Sequence, residues 1–141
     1  MLTPIKIGIS SCLLGNKVRY DGGHSHDRFL TENLGLYIDY IPVCPEVECG
    51  MTTPREALRL IGMPENPRLV TQKTGIDKTD QMNEWINHRL KSLEKENLCG
   101  FIFRSKSPSS GLYRIKVYGE KGQVRYNGTG LFARGFTRAF P

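Results

Sequence analysis

Cys44-Pro45-Glu46-Val47-Glu48-Cys49-Gly50-Met51 sets two thiols five residues apart with a carboxylate between them. Thiolates are soft, anionic ligands that resist burial unless a soft cation neutralises them. A tight metal knuckle more often spaces its cysteines by two or three residues, so this pair alone is a weak signal. A third thiol, Cys12, follows the apolar run Ile5-Lys6-Ile7-Gly8-Ile9. Glu46, beside the first thiol of the pair, is placed to move protons. Its bland role is to cap the loop or to pair with Arg55. Glu48, by alternation, points elsewhere.

For these groups to meet, the elements before them must end at one place. Tyr37-Ile38-Asp39-Tyr40-Ile41-Pro42-Val43 reads as a buried strand that delivers Cys44. The first strand, Ile5 to Ser10, delivers Cys12. As parallel neighbours the two strands open Cys12, Cys44 and Cys49 onto one edge, the crevice beyond the carboxyl ends where open α/β sheets bind ligands. Cys99-Gly100-Phe101-Ile102-Phe103 reads as a third buried strand, followed by the hydroxyl-dense loop Ser105-Lys106-Ser107-Pro108-Ser109-Ser110-Gly111. Its hydroxyls and backbone N–H groups suit an anion or a heterocycle's carbonyl, although such a loop is more often a mere turn. Cys99 precedes its strand, lies at the opposite pole, and is assigned to core packing.

The other elements alternate with these strands. A short helix is expected from His26 to Leu34. Thr53-Pro54-Arg55-Glu56 has the form of a helix start, with Thr as N-cap and Pro at the first position, ending by Gly62. Arg68–Thr71 is expected as a strand that Pro67 confines to an edge. Met82, Trp85, Ile86, Arg89, Leu90 and Leu93 form an amphipathic stripe, predicting a helix from about Lys78 to Asn97. Arg114–Tyr118 alternates as a strand with one exposed face. Asn127-Gly128-Thr129-Gly130 opens a last helix from Leu131 to about Phe140, and its Gly-x-Gly is either a phosphate cradle or a simple turn. Strands alternating with helices predict an α/β domain, a three-layer Rossmann-like fold with a mainly parallel sheet and a metal site at the strands' carboxyl ends.

Length and composition agree with this. The 141 residues suit one domain, 1–141, with its own core. No apolar run approaches the roughly 18 residues of a membrane helix. Ile9-Ser10-Ser11-Cys12 imitates a lipoprotein cleavage box, but Pro4, Lys6 and Gly8 break the segment before it, so a cytoplasmic protein is expected. Four cysteines without an export signal favour metal binding or catalysis over disulfides. The net charge of +6 permits an anionic partner such as nucleic acid without requiring one. For each cysteine singly, a small buried hydrophobe is the default. Convergence changes that, because three thiolates need a cation. A structural zinc needs a fourth ligand, which His24 or His26 would have to supply, whereas a His-Ser-His before a helix is usually surface polarity. Three thiolates on an iron–sulfur cluster would instead leave one iron open as a Lewis acid.

Ile9-Ser10-Ser11-Cys12-Leu13-Leu14-Gly15, Val18-Arg19-Tyr20-Asp21-Gly22, Val43-Cys44-Pro45-Glu46 and Ser107-Pro108-Ser109-Ser110-Gly111, in that order, resemble the thiouracil desulfidase family (TudS). The resemblance spans essentially the whole chain. It implies a 4Fe–4S cluster on three cysteines and removal of sulfur from 2- or 4-thiouracil-type bases without net redox change. The thiocarbonyl sulfur would be captured at the open iron and water would attack the ring carbon. Carried over, Cys12 and Cys44 are ligands, Glu46 and Ser107 assist proton transfer, and Ser109 and Ser110 face the substrate. The sequence departs from the family at Ser110, where much of the family has its third cysteine ligand. Cys49 is the expected substitute. This variant is similar to the two-domain subgroup RudS, in which a further C-terminal domain follows and the implied substrate is 4-thiouridine in tRNA; that domain is absent from residues 1–141. Two other readings stay open: a zinc-stabilised RNA-binding module without catalysis, and a cysteine-nucleophile hydrolase using Cys44 with Glu46.

Overall fold

The computed structural model describes residues 5–141. Strand β1 (Ile5–Ser10) runs into a 3-10 turn, Ser11–Leu14, closed by Gly15 at φ +94°. Two short helical turns, Phe29–Asn33 and Leu34–Leu36, stand where the sequence predicts one helix. Strand β2 (Ile38–Val43) leads directly into α1 (Pro45–Glu48), a single turn with Pro45 at its first position. The hairpin β3 (Leu58–Met63) and β4 (Asn66–Thr71) follows, then helix α2 (Thr79–Glu94). The chain ends with β5 (Gly100–Ile102), β6 (Ile115–Tyr118), β7 (Val124–Gly128) and helix α3 (Leu131–Ala139).

The α/β expectation holds, with a division the sequence did not reveal. Only three strands form the parallel sheet, in the order β2-β1-β5. The other four form a second, mixed sheet, β4-β3-β6-β7, in which β3 and β6 are parallel and both hairpins antiparallel. In the first sheet Ser10 pairs with Val43, and Ile9 pairs with Ile102. That register brings the loops after β1, β2 and β5 out at one edge, the arrangement read from the apolar runs.

One hydrophobic cluster joins the two sheets: Val43 from the first, Leu58, Leu60, Leu69, Ile115 and Val117 from the second, and Met82, Ile86 and Leu93 from α2. Phe132 of α3, fully buried, lies against Trp85, Phe101, Phe103 and Phe136, with ring centroids 5.4–6.3 Å apart. Such tilted and edge-on pairs add to plain area burial. The α2 stripe is as predicted, but the helix stops at Glu94, and Asn97 adopts φ +55° as the chain leaves it.

Two expectations fail for reasons that can be named. No helix follows Thr53-Pro54-Arg55-Glu56. Leu58 and Leu60, two residues apart, bury one face of a strand instead, and the residues of the apparent helix start serve other segments. The Glu56 carboxylate accepts the N–H groups of Lys73 and Thr74 and the Thr74 hydroxyl, so it caps the turn after β4. Arg55 reaches back to Glu46. Cys99 is exposed rather than packed in the core. Strand β7 was not foreseen because it is short and its first four residues are all exposed, so its brief Val124/Tyr126 alternation marks no buried face. Pro67 lies on an edge strand as expected, since β4 ends the strand order β4-β3-β6-β7 among the described residues.

The start of α3 is packed tightly against the serine loop. The N–H groups of Leu131 and Phe132 donate to the carbonyls of Pro108 and Ser109, and a Cβ at Gly130 would lie 2.6–2.8 Å from the backbone of Ser109 and Ser110. These amides are therefore used within the fold, and the Gly-x-Gly is a close-approach turn rather than a phosphate cradle. Gly130→Ala should lower the unfolding free energy by about 1–3 kcal/mol, the usual cost of overpacking. A urea midpoint equal to that of the unmodified protein would contradict this packing role.

Candidate active site

Beyond the carboxyl ends of β1, β2 and β5 lies a cavity of about 280 Å³. Cys12, Cys44, Glu46, Arg55, Arg104 and the serines 107, 109 and 110 all line it. Of the predicted ligands, proton-transfer residues and substrate-facing serines, Cys49 alone is missing from this wall. Its thiol donates to the carbonyl of Glu46 at 3.3 Å, its own carbonyl accepts from Gln81 at 3.0 Å, and its side chain packs on the hydrophobic core. Ser110 does face the cavity. His24 and His26 are exposed and take no part in it: the N–H of His26 donates to His24 Nδ1, and its Nε2 bonds with the Thr31 hydroxyl.

Glu46 is the organising carboxylate. Arg55 Nε donates to Oε1 at 2.9 Å and the Ser109 hydroxyl donates to Oε2 at 2.9 Å. The two side chains of this ion pair are 8% and 13% exposed, so it is formed almost out of water. The remaining guanidinium nitrogens donate to the Val18 and Thr52 carbonyls and to the Thr53 hydroxyl. Arginine suits this work because its planar fork serves several acceptors in fixed directions.

A hydroxyl carries one proton, which fixes the direction of the serine chain. Ser109 spends its proton on Glu46, so the Ser107 hydroxyl donates to Ser109 Oγ across 3.1 Å. Ser107 Oγ is itself held by the N–H groups of Ser109 and Ser110 at 3.3 and 3.0 Å. The result is a buried hydrogen-bonded run from Ser107 through Ser109 to Glu46. Ser107, expected to assist proton transfer with Glu46, is linked to the carboxylate through Ser109, whose hydroxyl makes the direct contact. Glu48 does point elsewhere, accepting the Cys44 N–H at 2.7 Å and pairing with Arg89 at 3.2 Å.

The three thiols at this end of the sheet share one electrostatic condition. Burial pushes each of Cys12, Cys44 and Cys49 above the ordinary thiol range. Cations work against that rise: Arg104 and Arg19 at Cys12, Arg55 at Cys44 and Cys49. Anionic Cys44 and Cys12 would repel, as would anionic Cys49 and Cys44. Cys44 thus stands within electrostatic reach of both others. Desolvated thiols among cations, close enough to repel as anions, are chemically matched to a soft cationic centre.

The kind of centre is constrained as well. Among the described residues no three His, Cys, Asp or Glu side chains converge to hold one metal ion. A structural zinc requires four donors within about 2.0–2.3 Å of a single point, and the histidines that reading needs lie outside. A multi-iron cluster sets a separate iron under each thiolate, so its donors stand farther apart; the chemistry of this donor set fits such a group. The hydrolase reading lacks its thiol-to-base contact: the Cys44 thiol donates to the Val18 carbonyl at 4.0 Å, and the bonds to the Glu46 oxygens come from Arg55 and Ser109. No helix among the described residues is long and apolar enough to cross a membrane.

Comparison with known proteins bears on the chain as a whole. TudS, a 4Fe-4S-dependent thiouracil desulfidase of known structure, superposes with a TM-score of 0.76 at 29% identity, covering 95% of this chain and 85% of its own. YbbK of Bacillus subtilis (strain 168), an uncharacterized protein, is 30% identical over 112 residues, 73% of this chain and 71% of its own length. The profile of the 2-thiouracil desulfurase family matches residues 7–141. The chain therefore belongs to the 2-thiouracil desulfurase family.

Proposed function

We propose that this protein removes sulfur from thiolated uracil, as 2- or 4-thiouracil or as 4-thiouridine in tRNA, giving the oxo base and sulfide without net redox change. The observation that carries this reading is a single cavity in which Cys12 and Cys44 face the Glu46–Ser109–Ser107 run. A 4Fe–4S cluster on Cys12, Cys44 and Cys49 would supply a Lewis-acidic iron for the thiocarbonyl sulfur. Cys49 would give up its hydrogen bond to the Glu46 carbonyl to serve as the third ligand. In overall balance, water replaces sulfur on the ring carbon and two protons leave with sulfide.

The chain's own groups then have distinct work. Arg55 holds the Glu46 carboxylate in place, aimed to accept a proton from the attacking water. The hydroxyls of Ser109 and Ser107 pass a proton between Glu46 and the leaving or ring atom, and Ser110 adds a donor to the substrate. Arg104 and Lys106 on the same wall favour an electron-rich ring face or a developing anion. Val43 and Leu58 supply the apolar part of the cavity.

Protein purified without oxygen should be brown, hold about four irons per chain and release sulfide from a thiolated uracil. Colourless, iron-free protein that still releases sulfide would remove the cluster from the reaction. Cys12→Ala and Cys44→Ala should each lose iron. In the loaded protein, alkylation should mark Cys99 alone, the exposed thiol. The third ligand has its own test: Cys49→Ala should lose iron and the double variant Cys49→Ala/Ser110→Cys should regain it. Full iron occupancy in Cys49→Ala would instead give the position to another group.

Glu46→Gln should keep the iron spectrum but lower kcat by about 100- to 10,000-fold. Arg55→Lys keeps the charge and loses the fork, so turnover should fall on the order of 100-fold with iron retained. Undiminished turnover in Glu46→Gln would strip the carboxylate of its proton-transfer role.

A further inference from the structure

A second cavity, about 600 Å³, adjoins the first and shares Leu58, Gln72, Lys106 and Pro108 with it. It lies over the outer side of β3, β6 and β7. Arg59, Lys106, Arg114 and Lys116 stand on its wall with Tyr113, Tyr118 and Tyr126, and no carboxylate lines it. Among the described residues none of these four cations forms an ion pair with an Asp or Glu. The Nε of Arg59 is buried and has no hydrogen-bond acceptor. Two of the rings already carry a cation: Arg59 lies 4.8 Å from the Tyr118 centroid and Lys116 lies 5.7 Å from that of Tyr126. Tyr113 and Tyr126 are 77% and 57% exposed, large apolar faces left to solvent.

Cations without counter-ions interleaved with open aromatic faces are what a single nucleic-acid strand needs. The cations take phosphates, and the rings take bases whatever their identity. An acidic protein partner would use the cations but not the rings. A duplex would offer phosphates but no free base faces. The continuity through Lys106 and Pro108 adds direction, since a strand lying in this groove has a neighbouring base within reach of the first cavity.

We propose that this groove binds the nucleotides flanking the reacting one in a single-stranded segment, with Arg59, Lys106, Arg114 and Lys116 on phosphates and Tyr113 and Tyr126 stacking on bases. The proposal deepens the desulfidase reading and rests on it for what the first cavity does; the binding itself does not depend on it.

The test is fluorescence anisotropy of the iron-loaded protein with an unmodified oligouridylate of about eight nucleotides, within the span one such groove covers. Binding should weaken with salt with a log–log slope of about −2 to −3, the value for three or four phosphates on a single strand. Arg114→Gln and Lys116→Gln should each flatten that slope by about 0.7. Tyr126→Ala should weaken binding roughly 5- to 150-fold, while Tyr126→Phe, which keeps the stacking face, should bind as the unmodified protein does. Unchanged affinity in Tyr113→Ala and Tyr126→Ala would overturn the proposal. So would polyglutamate or an RNA duplex competing as well as the single strand. If the oligonucleotide binds as described but no thiolated uracil is processed, the desulfidase reading fails and the groove stands. If thiolated uracil is processed and the oligonucleotide is not bound, the groove assignment fails alone.

Discussion

The Arg55–Glu46–Ser109 contact ties together three separate segments of the chain. Glu46 sits on the single turn after β2, Arg55 on the irregular segment before β3, and Ser109 in the loop that α3 supports. Because the ion pair is nearly excluded from water, removing either partner strands a charge, and the expected penalty is about 3–5 kcal/mol. Replacement of both partners by apolar groups costs far less, so stability alone does not account for the pair. What it does provide is position. Arg55 also donates to the Val18 carbonyl at 2.8 Å, fixing the loop behind Cys44 from the same guanidinium.

The thiols impose a second constraint, of opposite sign. A cavity that raises the pKa of Cys12 and Cys44 holds them poorly as bare anions. The nearby arginines offset part of that cost. The rest is removed when a soft cation binds, so affinity for the metal group and intolerance of its loss come from the same burial. The departure at Ser110 belongs to this balance. Ser110 lines the cavity while Cys49 lies behind the turn, so under the proposed assignment the cavity wall carries a hydroxyl and the thiol has to be brought to it.

What was legible in the sequence followed from local periodicity. The apolar runs before Cys12 and Cys44 gave both strands and their shared edge, and the α2 stripe gave its helix, since burial on one face leaves a direct trace. The serine loop could be placed but not resolved. Which hydroxyl meets Glu46 depends on the turn and on α3 pressing against it, contacts some 20 residues apart in sequence. The segment at Thr53 misled for the same kind of reason. Its helix-start residues were satisfied by the turn after β4 and by Glu46, partners that no local pattern announces, and the alternation of Leu58 and Leu60 then prevailed. The sequence predicts Cys49 on the same edge as Cys12 and Cys44, whereas the single helical turn of α1 sets its side chain against the core.

The second sheet shows why that misreading matters for function. Had residues 53–62 formed a helix, β6 would have had no parallel partner there, and the sheet that carries Arg59, Lys116, Tyr118 and Tyr126 would not exist. Strand β7 is exposed along most of its length, which is a poor use of a strand for stability alone. Its exposed residues include Arg125 and Tyr126, and β6 beside it alternates buried Ile115 and Val117 with exposed Lys116. The inner face of this sheet closes the core over α2 and α3, while the outer face carries positive charge and aromatic surface up to the rim of the thiol-lined cavity. A free base needs only the first cavity. A wall of uncompensated cations beside it has a use when the base arrives attached to phosphate.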